Sequence, residues 1–335
     1  STSVTAARYD AESSTWQVEA DNGKSVECRY LIMATGCLSS ANMPDFPGMS
    51  EFAGDTYHTG SWPADGVDFS GKRVAVVGTG SSGIQSIPLI AQSSAQLTVF
   101  QRTANYSVPA QNAPIDEERV VDIKANYEDF RARNMLQQPA FGADYPRRAD
   151  SVLDATPEER ERRFEEYWNL GGFMFMGAFG DVSMDTNANV YAADFVRSKI
   201  RSTVKDPATA ELLCPDTIIG CKRLCADTGY YETFNRDNVN LVDVSEHPID
   251  RLTPKGLVTN GLEYEFDVII FATGFDAMTG ALLKADIRGL NDLSLRDKWS
   301  AGPRTYLGLM TAEFPNLFMM TGPGSPSVLA NMITG

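Results

Sequence analysis

Short β-type runs open the chain: VTAARY (4–9), WQVEA (16–20) and SVECRY (25–30), the last two joined by a DNGK turn. A three-stranded meander is marginal alone and needs a surface to pack on; that support is missing from the start of the chain. LIMATG (31–36) follows as a continuous apolar run ending in Thr-Gly, which predicts a buried parallel strand delivering a backbone turn. DVIIFATGFD (267–276) repeats the pattern. The chain is therefore expected to leave one domain near Gly36 and return to it near Gly274.

Between these runs, KRVAVV (72–77), GTGSSG (78–83), IQSIPLIAQ (84–92) and QLTVFQR (96–102) spell strand, glycine turn, helix, strand. Pro88 lies beyond the first turn of that helix, where it removes a hydrogen bond, so a kink or a late start is expected. Residues 116–210 read as a charged helical insertion. TPEERERRFEEYW (156–168) carries Thr at the N-cap, Pro at the first helical position and Glu three residues after the cap. NVYAADFVRSKIRSTVK (189–205) spaces its apolar residues for one helical face. From 239 to 275 strands and turns resume. The class is α/β.

Composition narrows the partners. The formal net charge is -15, which disfavours nucleic acid and anionic membrane surfaces. Hydrophobic content of 43% is ordinary for a globular chain, and no apolar run reaches the length of about 20 residues that a membrane span needs. Five cysteines without a CxxC pair read as reduced thiols of a cytoplasmic protein. Cys221 and Cys225 flank Lys222-Arg223 with no histidine near, so no metal is expected.

The glycine turn carries the first chemistry. Gly78 permits a tight turn, Gly80 lets backbone approach a pyrophosphate, and Gly83 lets helix and strand pack closely. Thr79, Ser81 and Ser82 complete the turn, and the helix N-terminus offers free N–H groups to phosphate. An NAD site places Asp or Glu about 20 residues on. Here no acidic residue stands between Asp68 and Asp116, and Arg102-Thr103 closes the second strand. An arginine there suits a 2′-phosphate, so NADPH is expected over NADH. Lys222-Arg223, beside Tyr230, Tyr231 and Phe234, is on residue type alone either a surface pair or a functional one.

Upstream, FAGDTYHTGSWP (52–63) holds one of the two histidines. It fits FxGxxxHxxxWP and thereby resembles the fingerprint of the type I Baeyer–Villiger monooxygenases. The resemblance extends through VFQRTANYSVPAQNAP (99–114), KRL (222–224), YYETFNRDNV (230–239), ATGFDAMTGALL (272–283), GPRTYLGL (302–309) and GPGSPSVLANM (322–332). It implies a flavoprotein fold with two dinucleotide-binding domains. A partial FAD domain would span 1–38, a Rossmann-like NADPH domain with the helical insertion 39–275, and a truncated return to the FAD domain 276–335.

The resemblance implies that ketones are converted to esters or lactones with NADPH, FAD and O2, through a C4a-peroxyflavin. Arg223 matches the catalytic arginine, and Lys222 matches a residue that holds the 2′-phosphate with Arg102 and Thr103. Phe52, Gly54, His58, Trp62 and Pro63 would lie in the linker that couples the domains. Pro326, Ser327, Val328, Leu329 and Met332 match a substrate-lining loop whose apolar members suit an uncharged ketone. The family's first GxGxxG, for FAD, and the aspartate that positions its arginine are absent. The chain is thus expected to be a piece of a longer enzyme, inactive alone. Two alternatives remain: an N-hydroxylating or S-oxidising flavoprotein, and a non-catalytic NADP-binding module.

Overall fold

Three apolar strands build the central sheet: Arg73–Val77, Gln96–Gln101 and Val268–Phe271. Nearly every residue in them is buried, because both faces of the sheet are covered. The two-residue period of a strand sorts them into separate cores. Val74, Val76, Leu97, Val99, Val268 and Ile270 pack on one side with Ile84, Ile87 and Ile90 of the Ser81–Ser93 helix. Ala75, Val77, Phe100, Ile269 and Phe271 pack on the other, against Leu252, Leu257 and Phe266. The latter come from the segment holding a three-stranded antiparallel sheet, Ile249–Thr253, Gly256–Thr259 and Leu262–Glu265.

The central sheet has five strands, all parallel, in the order Val239–Asp243, Gln96–Gln101, Arg73–Val77, Val268–Phe271, Asp55–His58. Its helix begins at Ser81, directly after the glycine turn, and runs as one element past Pro88 to Ser93. The expected late start is not observed; the proline ring is buried among the helix's apolar residues.

The computed structural model describes residues 2–136 and 148–325, which divide into two compact units. One comprises 43–127 and 148–274, with the five-stranded sheet; the other comprises 2–42, 128–136 and 275–325. In the first unit the insertion is helical as its pattern predicts. Pro157–Leu170 is capped by Thr156, whose hydroxyl accepts from the Glu159 N–H at 3.2 Å. Phe164 of that helix packs on Phe175 and on Phe195 of the Thr186–Thr203 helix, with ring centroids 5.7 and 5.5 Å away.

In the second unit the meander Val4–Asp10, Thr15–Ala20, Ser25–Cys28 gains a fourth strand, Asp286–Arg288, parallel to the first. The support that the opening segment lacks is supplied by the returning chain. Fully buried Trp16 packs with Leu282, Ile287, Trp299 and Leu317, and its indole N–H donates to the Pro315 carbonyl at 2.9 Å. Leu31–Met33 pairs in parallel with Leu317–Met319. It was expected to be buried throughout, yet Ile32 is 62% exposed, because among the described residues this sheet has only two strands. Among the described residues no helix is long and apolar enough to cross a membrane.

Candidate functional site

Gly78 follows the Arg73–Val77 strand with φ of 109°, a conformation that side chains avoid. A Cβ there would stand 2.7 Å from the Ala272 carbonyl oxygen, just past the neighbouring Val268–Phe271 strand. A Cβ on Gly83 would fall well inside van der Waals contact of the Gly78 carbonyl oxygen. Both glycines are thus demanded by the packing of turn, helix and sheet. Gly80 is different: it is exposed, and nothing lies within 4 Å of where its Cβ would be. Packing does not require it, whereas a ligand lying against the backbone would.

Gly80 is also the N-cap of the Ser81–Ser93 helix, and no side chain caps the first turn or places a carboxylate in it. Such an end attracts anions through its free N–H groups and its partial positive charge. It stands where strand order reverses, since the chain goes from Arg73–Val77 outward to Gln96–Gln101 and later returns to the opposite side as Val268–Phe271. That is where open α/β sheets bind ligands. A pyrophosphate fits this cradle.

Two further segments border the turn. The Gln96–Gln101 strand ends in Arg102 and Thr103, both exposed. The buried Thr79 hydroxyl reaches across and donates to the Thr103 carbonyl at 3.0 Å. The Lys222-Arg223 pair precedes the Cys225–Asp227 strand, which pairs with Ser107–Pro109. Cys225 Sγ lies 3.2 Å from Ser81 Oγ, and Gln85 Nε2 donates to the Ala226 carbonyl at 3.1 Å. These contacts hold the segment carrying the pair against the first turns of the helix. Burial pushes the Cys225 thiol up, which keeps it protonated and inert. Arg223 is exposed, with its guanidinium 5.3 Å from the Phe173 ring centroid. Among the described residues, none of Arg102, Lys222 and Arg223 forms an ion pair.

Behind the pair, Asp227 accepts from the Ser107 hydroxyl and from the Tyr230 N–H at 2.7 Å, and burial raises its carboxyl. Tyr231 accepts from the Ser107 N–H at 3.1 Å. This support was not anticipated from the sequence. The only signal was a polar pair, Asp227 and Thr228, before two tyrosines that turn out to be buried.

The segment 52–63 joins the same unit as an edge strand. Asp55–His58 pairs in parallel with Val268–Phe271, placing His58 opposite Phe271. Buried His58 accepts the Gly60 N–H on Nδ1 at 2.9 Å, and its Nε2 lies 3.3 Å from Thr273 Oγ1. Gly54 is needed because a Cβ there would strike Phe52 and the Asp267 carbonyl oxygen. Trp62, which precedes Pro63, lies tilted between Tyr57 and Phe69 at centroid distances of 5.7 and 6.2 Å. Trp62 and Phe69 share a groove of about 620 Å³ with Ser82, Gln85 and Leu89 of the helix. The expected substrate loop Pro326, Ser327, Val328, Leu329 and Met332 lies outside the described residues.

Comparison with known proteins bears on this arrangement. The family model described as pyridine nucleotide-disulphide oxidoreductase matches residues 2–133. A Baeyer–Villiger monooxygenase of Pseudooceanicola batsensis is 45% identical over 97% of this chain and 59% of its own length. A solved structure, oxidized steroid monooxygenase bound to NADP, is 52% identical with a TM-score of 0.91, over 99% of this chain and 63% of that one.

Nearly the whole of this chain is similar to Baeyer–Villiger monooxygenases. The chain spans about 60% of the length of the relatives it matches. A phenazine N-monooxygenase of Lysobacter antibioticus is also similar to it, at 40% identity over 97% of this chain and 60% of that protein. The Baeyer–Villiger family resemblance therefore includes proteins named for oxidation at nitrogen.

Proposed function

We propose that this chain is the NADPH-binding part, with a portion of the FAD-binding part, of a Baeyer–Villiger monooxygenase that converts ketones to esters or lactones. The supporting observation is the uncapped Ser81–Ser93 helix start, with open space at Gly80 and, on the bordering segments, the cations Arg102, Lys222 and Arg223, which form no ion pair among the described residues. The N–H groups of Ser81, Ser82 and Gly83 receive the pyrophosphate. Arg102, with Thr103 and Lys222, receives the 2′-phosphate, and no acidic residue stands between 69 and 115 in the sequence. When bound, NADPH supplies the hydride and FAD the oxygen-activating chemistry.

Arg223 is the catalytic residue of this reading. Its guanidinium is always charged and its planar face rests near Phe173, so it presents a fixed cation to negative charge developing on the substrate oxygen. The remaining stoichiometry is one ketone, one O2 and one NADPH with a proton, giving one ester, one water and NADP+. FAD is less well served by this chain. Among the described residues of the second unit, no GxGxxG turn opens a helix, so these residues alone do not fit the FAD pyrophosphate. The loop Pro326–Met332 is proposed to line the ketone site. Five free cysteines suit a reducing, cytoplasmic setting.

The test is turnover by the full-length protein. NADPH oxidation should rise on adding a cyclic or aryl ketone, with a product one oxygen heavier, and Arg223→Ala should abolish product. Oxygenated product from aromatic nitrogen heterocycles, with none from ketones, would replace this reading with N-oxidation, to which the phenazine N-monooxygenase points.

A further inference from the structure

The backbone around Arg102 is held on both sides. Before it, the Gln101 carbonyl accepts the Val244 N–H at 2.9 Å, and the buried Gln101 side chain donates to the Leu212 carbonyl at 2.7 Å. After it, the Thr103 carbonyl accepts the Thr79 hydroxyl at 3.0 Å. Arg102 itself is exposed and forms no ion pair among the described residues. A flexible, charged side chain thus stands on a fixed base. Of these ties, the Thr79 bond alone reaches from the phosphate-binding turn to the residue after Arg102. The turn's other tie to this strand, the Gly78 N–H to the Phe100 carbonyl at 2.9 Å, lies before Arg102.

A hydroxyl has one hydrogen. The Thr79 hydrogen is committed to the Thr103 carbonyl, and ionised phosphate oxygens only accept, so this side chain has no donor left for a pyrophosphate. Its side chain is 95% or so buried beneath the turn, not presented on it. Sequence reasoning counts Thr79 among the cofactor contacts because it lies inside GxGxxG. The structure gives its side chain a different task.

We infer that Thr79 is a positioning residue for coenzyme choice: its hydroxyl fixes the Arg102-Thr103 turn relative to the glycine cradle, so that one dinucleotide meets the cradle and Arg102 together. The effect is selective for the phosphorylated ribose, because only a 2′-phosphate draws on Arg102. NAD+ bound in the same cradle does not. The inference rests on the proposed NADPH reading of Arg102.

The experiment measures Kd for NADP+ and NAD+ in the full-length protein bearing Thr79→Val, Thr79→Ser, Arg102→Ala, and Thr79→Val with Arg102→Ala. Valine keeps the shape and removes the donor, and serine keeps the donor. Thr79→Val should weaken NADP+ by roughly three- to tenfold, the range of one lost hydrogen bond, and leave NAD+ within about twofold. Thr79→Ser should restore the NADP+ preference. In the Arg102→Ala background, Thr79→Val should weaken NADP+ less than it does with Arg102 in place. Equal weakening of both nucleotides, or no weakening of NADP+, would overturn the inference. An Arg102→Ala protein that still prefers NADP+ as wild type does would instead overturn the NADPH reading of Arg102 on which it rests.

Discussion

His58 Nε2 lies 3.3 Å from the Thr273 hydroxyl oxygen, while His58 Nδ1 accepts the Gly60 N–H. With Nδ1 accepting, the hydrogen of the neutral ring sits on Nε2 and points to Thr273. The imidazole therefore ties the end of an edge strand to the turn that follows the sheet's Val268–Phe271 strand. It is a buried strut. His58→Ala is expected to cost about 2–3 kcal/mol, from a small cavity and unpaired buried groups, and Thr273→Val about 1 kcal/mol. Thermal unfolding of both variants and the double mutant checks this; the double mutant should be less destabilised than the two effects added.

Two glycines of one motif should respond in opposite ways. Alanine at Gly83 drives a methyl into the Gly78 carbonyl oxygen, a backbone atom that cannot step aside. A loss of roughly 2–4 kcal/mol in folding stability is expected. Alanine at Gly80 enters open space at φ of -79°, which any residue tolerates. Its stability should stay within about 0.5 kcal/mol of wild type while NADP+ affinity falls by roughly tenfold or more, as calorimetry would show.

Lys222 and Arg223 are adjacent and should separate cleanly in kinetics. Lys222→Ala is expected to raise the NADPH KM by roughly three- to tenfold and leave product formation per turnover intact. Arg223→Lys should keep NADPH binding and lose the oxygenated product, because an ammonium cannot reproduce a planar cation over Phe173. Phe173→Ala should lower the yield of ester per NADPH consumed without changing the NADPH KM. Product and NADPH counted in the same reaction decide all three.

One bidentate pair should contribute to acid sensitivity. The Arg73 backbone N–H donates to Asp267 at 2.8 Å and its guanidinium at 3.0 Å, and these bonds hold the Asp267 carboxyl below its ordinary value. A depressed folded-state pKa means that the unfolded chain binds the proton first as pH falls. The pair's contribution is therefore present above about pH 4 and lost as pH drops through the folded value. Because both side chains are about two-fifths exposed, the contribution is at most about 1 kcal/mol at neutral pH. Asp267→Asn should flatten the fall in stability below about pH 4, measured by urea unfolding across pH.

How much of this was legible in the sequence depended on whether local chemistry or distant packing decided the element. The Thr156 cap and the buried strands of the central sheet carry their cause within a few residues, and the pattern located each; the helix was located too, but its start at Ser81, three residues before the apolar run, was not. Asp55–His58 was missed as a strand because three of its four residues are exposed or half-buried, as edge positions permit. Ile32 was misjudged because apolar character reveals no neighbour, and among the described residues its strand has a partner on one side only. Within the candidate site, residue identity pointed to the glycines and cations. The Thr79–Thr103 and Ser81–Cys225 contacts depend on segments 24 and 144 residues apart and left no local trace.

The placement of Val268–Phe271 between Arg73–Val77 and Asp55–His58 also sets a timetable. During synthesis the Arg73–Val77 and Gln96–Gln101 strands can pair as soon as both have left the ribosome. The Asp55–His58 strand cannot, since its one partner is made last. At about 5–20 residues per second the wait is roughly ten to forty seconds. Throughout it, two strand edges meant for the same absent neighbour stand open, and a nascent chain in that state is exposed to mispairing with others. Expression yield should therefore respond to translation speed and to chaperone supply between residues 100 and 268 more than to any change in the finished fold.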